Sequence, residues 1–116
     1  MSGGGPPAPP DAGPGSDPGR PDPGGAPVLS RIVVVSNKRG LHARAAARFV
    51  TLAERFGAAV DVVRDGQSVS ARSIMGLMML GAGPGAEIEL RAEGWDAREA
   101  LDALVALVES GFNEQD

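Results

Sequence analysis

The sequence predicts an α/β two-layer sandwich, with a four-stranded antiparallel sheet covered on one face by three helices in the order β-α-β-β-α-β-α. Three observations carry that prediction. Apolar residues in the 31–116 region alternate in some stretches and recur at helical spacing in others. An Asp65-Gly66 dipeptide separates two short β-rich runs, as a tight hairpin requires. The helical stripes are made of Ala, Leu and Val and need one common surface on which to bury.

Taken in order, Arg31 to Ser36 (RIVVVS) is a β-branched run of strand length, broken by the turn residues Asn37-Lys-Arg-Gly40. From Ala43 to Phe56, the residues Ala46, Phe49, Val50 and Ala53 share one helical face, and Gly57 stands where a C-terminal cap is expected. Ala58 to Arg64 and Gln67 to Ala71 form the hairpin strands. Ser73 to Leu80 is a short helix ended by Gly81-Ala-Gly-Pro-Gly85. Ala86 to Ala92 alternates, which turns Ile88 and Leu90 inward. Asp96 is expected to cap a last helix whose buried stripe is Ala97, Ala100, Leu101, Leu104, Val105 and Val108. Trp95 is expected to staple the junction before it. Periodicity leaves the strand order open, and a ferredoxin-like arrangement fits the same string.

Residues 1 to 30 contain 8 Gly and 9 Pro and little apolar bulk, so ordering them would recover little burial for the entropy lost. They are read as a disordered tail, leaving 31 to 116 as one domain. No apolar run resembles a signal-peptide core or approaches the roughly 20 residues of a membrane span, so a cytoplasmic protein is expected. The chain has no Cys and one His, which excludes disulfides, thiol nucleophiles and His-rich or Cys-based metal sites. A net charge of −4 hides an uneven distribution. Between Arg31 and Arg72 stand eight basic residues against three acidic ones, and from Gly85 onward nine acidic against two basic. A locally basic region suits an acidic partner or a phosphate. Nucleic acid is a poor candidate, because sheet-face readers stack bases on aromatic side chains and these strands carry none.

The stretch Asn37-Lys-Arg-Gly-Leu-His-Ala-Arg-Ala-Ala-Ala47 places the only histidine at the first turn of an amphipathic helix. Unsatisfied N–H groups and the positive end of the helix dipole attract an anion there and disfavour imidazolium, leaving a neutral ring nitrogen able to attack phosphorus. Arg44 offers a forked contact to phosphate oxygens, and Gly40 lets the loop backbone come close.

Gly40-Leu-His-Ala-Arg44, followed by small residues, resembles the active-site signature of the HPr phosphocarriers of the phosphotransferase system. Ala71-Arg-Ser-Ile-Met-Gly-Leu-Met-Met-Leu-Gly81 is similar to that family's regulatory-serine segment and falls at the expected distance after the hairpin. The resemblance implies a sheet in the spatial order 1-4-2-3. It implies phosphorylation of His42 on its δ1 nitrogen, with Arg44 balancing the phosphoryl charge and the backbone amides of Ala43 and Arg44 completing the cradle. Ser73 would be the serine modified by the HPr kinase/phosphorylase. Partner contacts would fall on Ala43, Ala47, Arg48 and Thr51 of the first helix and on Ile74, Met75, Met78 and Met79 of the second. Enzyme I is the implied donor and an EIIA-type protein the implied acceptor. The protein is expected to be a monomer and a covalent carrier without metal or cofactor, not an enzyme that turns over a small substrate. One departure is Ala45, where most members place a proline inside the helix; alanine forfeits about 0.4–1 kcal/mol but no phosphate contact. The ending Ala106 to Phe112 and the alanine variant look closer to the nitrogen-related branch. A second reading keeps the fold but makes it a regulatory docking module acting through its phosphorylation state.

Overall fold

The computed structural model describes residues 28–114, and most of the expected Gly- and Pro-rich tail lies outside them. Its elements run β1 (Leu29–Val34), α1 (Ala43–Ala53), β2 (Ala59–Arg64), β3 (Gln67–Ser70), α2 (Ile74–Met79), β4 (Glu87–Glu93) and α3 (Ala97–Glu109). The strands form one sheet in the order β1-β4-β2-β3, antiparallel throughout. β1 begins at Leu29, paired with Ala92, two residues before the expected start of the domain.

Alternation sets which face of the sheet is covered. Val33, Val60, Val62, Ile88, Leu90 and Ala92 are buried against the helices, while Ile32 and Val34 on β1 remain exposed on the opposite face. The helices supply Ala46, Phe49, Val50 and Ala53 from α1, Leu77 from α2, and Ala100, Leu101, Leu104 and Val108 from α3. Val105, expected in that stripe, is only partly buried at its edge. The hairpin turns as its residues require: Arg64 faces Gln67 across two residues, with φ at 50° for Asp65 and 82° for Gly66.

Three local expectations are corrected. α1 ends at Ala53 and unwinds through Arg55 N–H to Leu52 O and Phe56 N–H to Ala53 O, so Gly57 is not its cap. Gly57 instead makes room, since a Cβ there would stand 2.9 Å from Trp95 Nε1. Trp95 lies over that glycine but is 87% exposed, so it is not a buried staple. Asp96 occupies the N-cap position of α3 without a side-chain cap bond. Its buried carboxylate reaches across to the turn before β2, accepting from the N–H groups of Gly57 (2.9 Å) and Ala58 (2.8 Å). Two loop donors near the core outcompete the helix's own N–H groups for that carboxylate.

Replacing Asp96 by Ala strands those donors, of which the one on Ala58 belongs to a buried residue. The expected cost is about 2 kcal/mol, read as a lowered denaturant midpoint at unchanged slope. A midpoint equal to wild type would show that water replaces the carboxylate freely.

Candidate functional site

His42 owes its place to the turn before it. Asn37 O accepts from Gly40 N–H, Gly40 adopts φ +66°, and Leu41 N–H reaches Ala82 O at 2.9 Å in the loop after α2. A Cβ on Gly40 would fall 2.3 Å from that same oxygen, so no other residue fits. Leu41 is buried as an anchor. The next residue, His42, is the N-cap of α1, in extended backbone, with its carbonyl accepting from Ala46 N–H at 2.8 Å.

The helix start is left open to an anion. His42 makes no side-chain cap bond, and the first turn of α1 contains no acidic residue. The N–H groups of Ala43 and Arg44 precede the first intrahelical bond and have no acceptor in the helix. Arg44 is exposed, and Ala45, the departure from proline, is completely buried. Ser73 is the N-cap of α2, where its Oγ accepts from Gly76 N–H at 2.9 Å as its position leads one to expect. It is partly buried, because Gly76 leaves space that a Cβ would fill at 3.0 Å from both Ser73 Oγ and Val69 Cβ.

Only Leu77 of α2 is buried. Met75 and Met79 are 68% and 73% exposed, and Ile74 and Met78 also face outward, so the methionines do not fill core gaps. On α1, Ala43 and Thr51 are exposed and Ala47 and Arg48 partly so. Arg44, Ala47, Arg48, Thr51 and Arg55 line a shallow groove that continues to Leu107 and Asn113.

Two further residues of the site were not picked out from the sequence. Glu114 and Asn37 meet at the imidazole: Glu114 Oε2 engages His42 Nε2, and Glu114 Oε1 accepts from Asn37 Nδ2 at 3.0 Å. Asn37 is buried and its Nδ2 also donates to Gly40 O at 2.9 Å. Glu114 comes from 72 residues away, on a segment folded back by left-handed backbone at Gly111, Phe112 and Asn113. Phe112 is wholly buried, and Arg48 donates to its carbonyl. The His42 ring is therefore partly covered, with its side chain 22% exposed. Gly111 marks the stop of α3, with its N–H on Val108 O and Phe112 N–H on Leu107 O, but nothing in GFNE signals that left-handed backbone continues through Phe112 and Asn113.

The fold and this site bear on kinship. The family model for the HPr component phosphorylation site of the phosphotransferase system matches residues 29–110. The chain belongs to the HPr family. Phosphocarrier protein HPr of Cupriavidus necator is 47% identical over 87 residues, covering 75% of this chain and 98% of that protein. Phosphocarrier protein NPr of Shewanella violacea is 46% identical, over 74% of this chain and 94% of its own. The likeness is thus as great to an HPr as to an NPr. The crystal structure of HPr-C-His from Thermoanaerobacter tengcongensis superposes with a TM-score of 0.72 at 45% identity, covering 76% of this chain and 99% of that one. The strand order implied by resemblance to HPr is the one observed. No helix among the described residues is long and apolar enough to cross a membrane.

The Glu114 carboxyl is held below its ordinary value of 4.5, first by the Asn37 hydrogen bond, then by His42, with the charge of Arg39 adding and burial opposing. A carboxylate depressed in the folded state contributes stability that is complete above its unfolded value and lost as pH falls through the folded one. Between roughly pH 6 and pH 3, wild type should therefore lose more of its unfolding midpoint than Glu114→Gln does. Parallel acid curves would show that the carboxylate gains nothing from folding.

Proposed function

We propose that this protein carries a phosphoryl group on His42, accepting it at Nδ1 from Enzyme I charged by phosphoenolpyruvate and passing it to an EIIA-type protein in the cytoplasm. One observation supports this above others: the chain's only histidine stands at a helix start whose first N–H groups are unclaimed among the described residues, with Arg44 exposed beside it. Those donors and the helix dipole favour a dianionic group, and Arg44 balances its charge. Ala43 and Arg44 would contribute the cradling amides. The protein is a covalent carrier, and its parts lie in one chain acting as a monomer.

Docking would use the exposed faces of α1 and α2. Arg44, Arg48 and Arg55 line the groove on α1 and suit an acidic partner, while the exposed Met75, Met78 and Met79 offer an adaptable apolar surface. Retention of both His42 and Arg44 favours a relay over a docking module that only reports its phosphorylation state.

His42→Ala should abolish acceptance of phosphate from phosphoenolpyruvate and Enzyme I, with its circular dichroism unchanged because the ring is not part of the core. Acid-labile phosphate located by mass spectrometry is the readout. Undiminished labelling of that variant would end the carrier reading.

Ser73 is the proposed regulatory site, modified by an HPr kinase/phosphorylase. A phosphate there adds roughly −1.5 to −2 charges beside Ile74 and Met75, where a partner would have to desolvate it. At the start of α2 the same charge is favourable by about 0.3–1 kcal/mol, so the fold should hold. Phosphorylated protein should bind Enzyme I about tenfold more weakly, a loss near 1.4 kcal/mol, at unchanged or higher melting temperature. Equal affinity by calorimetry would rule this out, and a collapsed melting transition would mean unfolding is the cause.

A further inference from the structure

We propose that Glu114 is a positioning residue that sets the tautomer of His42, holding the ring proton on Nε2 so that Nδ1 keeps the free lone pair. The inference rests on the reading of His42 as phosphoryl acceptor and says which nitrogen is made ready and by what.

Asn37 decides the geometry. Its Nδ2 donates to two oxygens, Gly40 O and Glu114 Oε1. With the amide turned over, its oxygen would face two acceptors, so the orientation is forced. That orientation leaves the buried Asn37 Oδ1 without a partner among the described residues, whereas the reverse would lose both donated bonds. Glu114 Oε1 is thereby committed to Asn37, and Oε2 is the oxygen that meets His42 Nε2. An ionised carboxylate only accepts hydrogen bonds, so Nε2 must be the protonated nitrogen. Among the described residues no hydrogen bond engages Nδ1. The arrangement is held from behind: Glu114 is 11% exposed, its N–H donates to Gly111 O at 3.1 Å, and Phe112 is fixed in the core.

This tautomer suits transfer in both directions. The Nδ1 lone pair forms the bond to phosphorus as the bond from phosphorus to the donor breaks, and the departing electron pair stays with the donor. No proton has to leave the ring. The phosphorylated imidazole retains Nε2–H and gains a positive charge, which faces the Glu114 carboxylate. When the group is passed on, the N–P electron pair returns to Nδ1 and the ring is neutral again.

Glu114→Gln gives a sharp test because Asn37 would keep the amide oxygen. The new NH2 would then point at His42 Nε2, which must accept, and the ring proton would move to Nδ1. Glu114→Ala leaves both nitrogens unconstrained, so the conservative change should do more harm than truncation. In full-length unphosphorylated protein, at a pH where the ring is neutral, 15N NMR should show a protonated Nε2 in wild type and a protonated Nδ1 in Glu114→Gln. In transfer from Enzyme I, kcat should fall about tenfold or more for Glu114→Gln at unchanged KM, and less for Glu114→Ala. A merely structural role gives the opposite order, with glutamine the milder change. A protonated Nδ1 in neutral wild type, or transfer by Glu114→Gln as fast as by Glu114→Ala, would overturn the proposal. Wild type that carries Nε2–H yet takes no phosphoryl group would instead sink the carrier reading and leave the tautomer assignment standing.

Discussion

The hydrogen bond from Leu41 N–H to Ala82 O is the constraint on which the rest of the site depends. It requires backbone to approach backbone more closely than any side chain at position 40 permits. Because Ala82 follows α2 and Leu41 precedes α1, this contact ties the end of α2 to the start of α1, the two helices with the exposed Met and Arg side chains. It also fixes where α1 begins, and so which residue stands at its cap. Asn37 then closes the turn onto Gly40 O and uses its remaining proton for Glu114. One close approach thus orients the imidazole, the helix start behind it and the carboxylate beside it.

The elements and their buried faces were legible because period-two and period-3.6 patterns are local, and Val60, Val62, Ile88 and Leu90 obey them. The strand order was not, since it depends on which edges meet far apart in sequence, and only the likeness to HPr supplied it. The positions of His42, Arg44 and Ser73 at helix starts were legible because the sequence marks those starts locally. Glu114 was missed because its meeting with His42 spans 72 residues and depends on three successive left-handed residues, two of them not glycine. Asp96 was misread for a related reason. A local rule assigned its carboxylate to its own helix, whereas donors 38 and 39 residues earlier in the chain hold it.

Charge counted along the sequence also overstates the field at the site. Of the eight basic residues between 31 and 72, Arg31 pairs with Asp102, Arg64 bonds to Leu80 O, Arg72 to Phe56 O and Arg48 to Phe112 O. Those four serve the fold as well as the surface. Among the described residues, the other four, Lys38, Arg39, Arg44 and Arg55, make no side-chain hydrogen bond to the protein and are exposed, and all but Arg55 lie in the turn before α1 or in its first turn. The cationic field therefore concentrates around His42, where Glu114 partly offsets it from the Nε2 side.

The left-handed return at Gly111, Phe112 and Asn113 has a consequence for anything joined to this domain. With Phe112 sunk in the core and Glu114 against the imidazole, anything attached at that end starts beside the His42 ring. A bulky fusion at that end crowds the ring, and steric exclusion lowers the frequency with which another macromolecule reaches it. The other end of the domain enters through β1, at the edge of the sheet. The two ends are thus unequal as points of attachment.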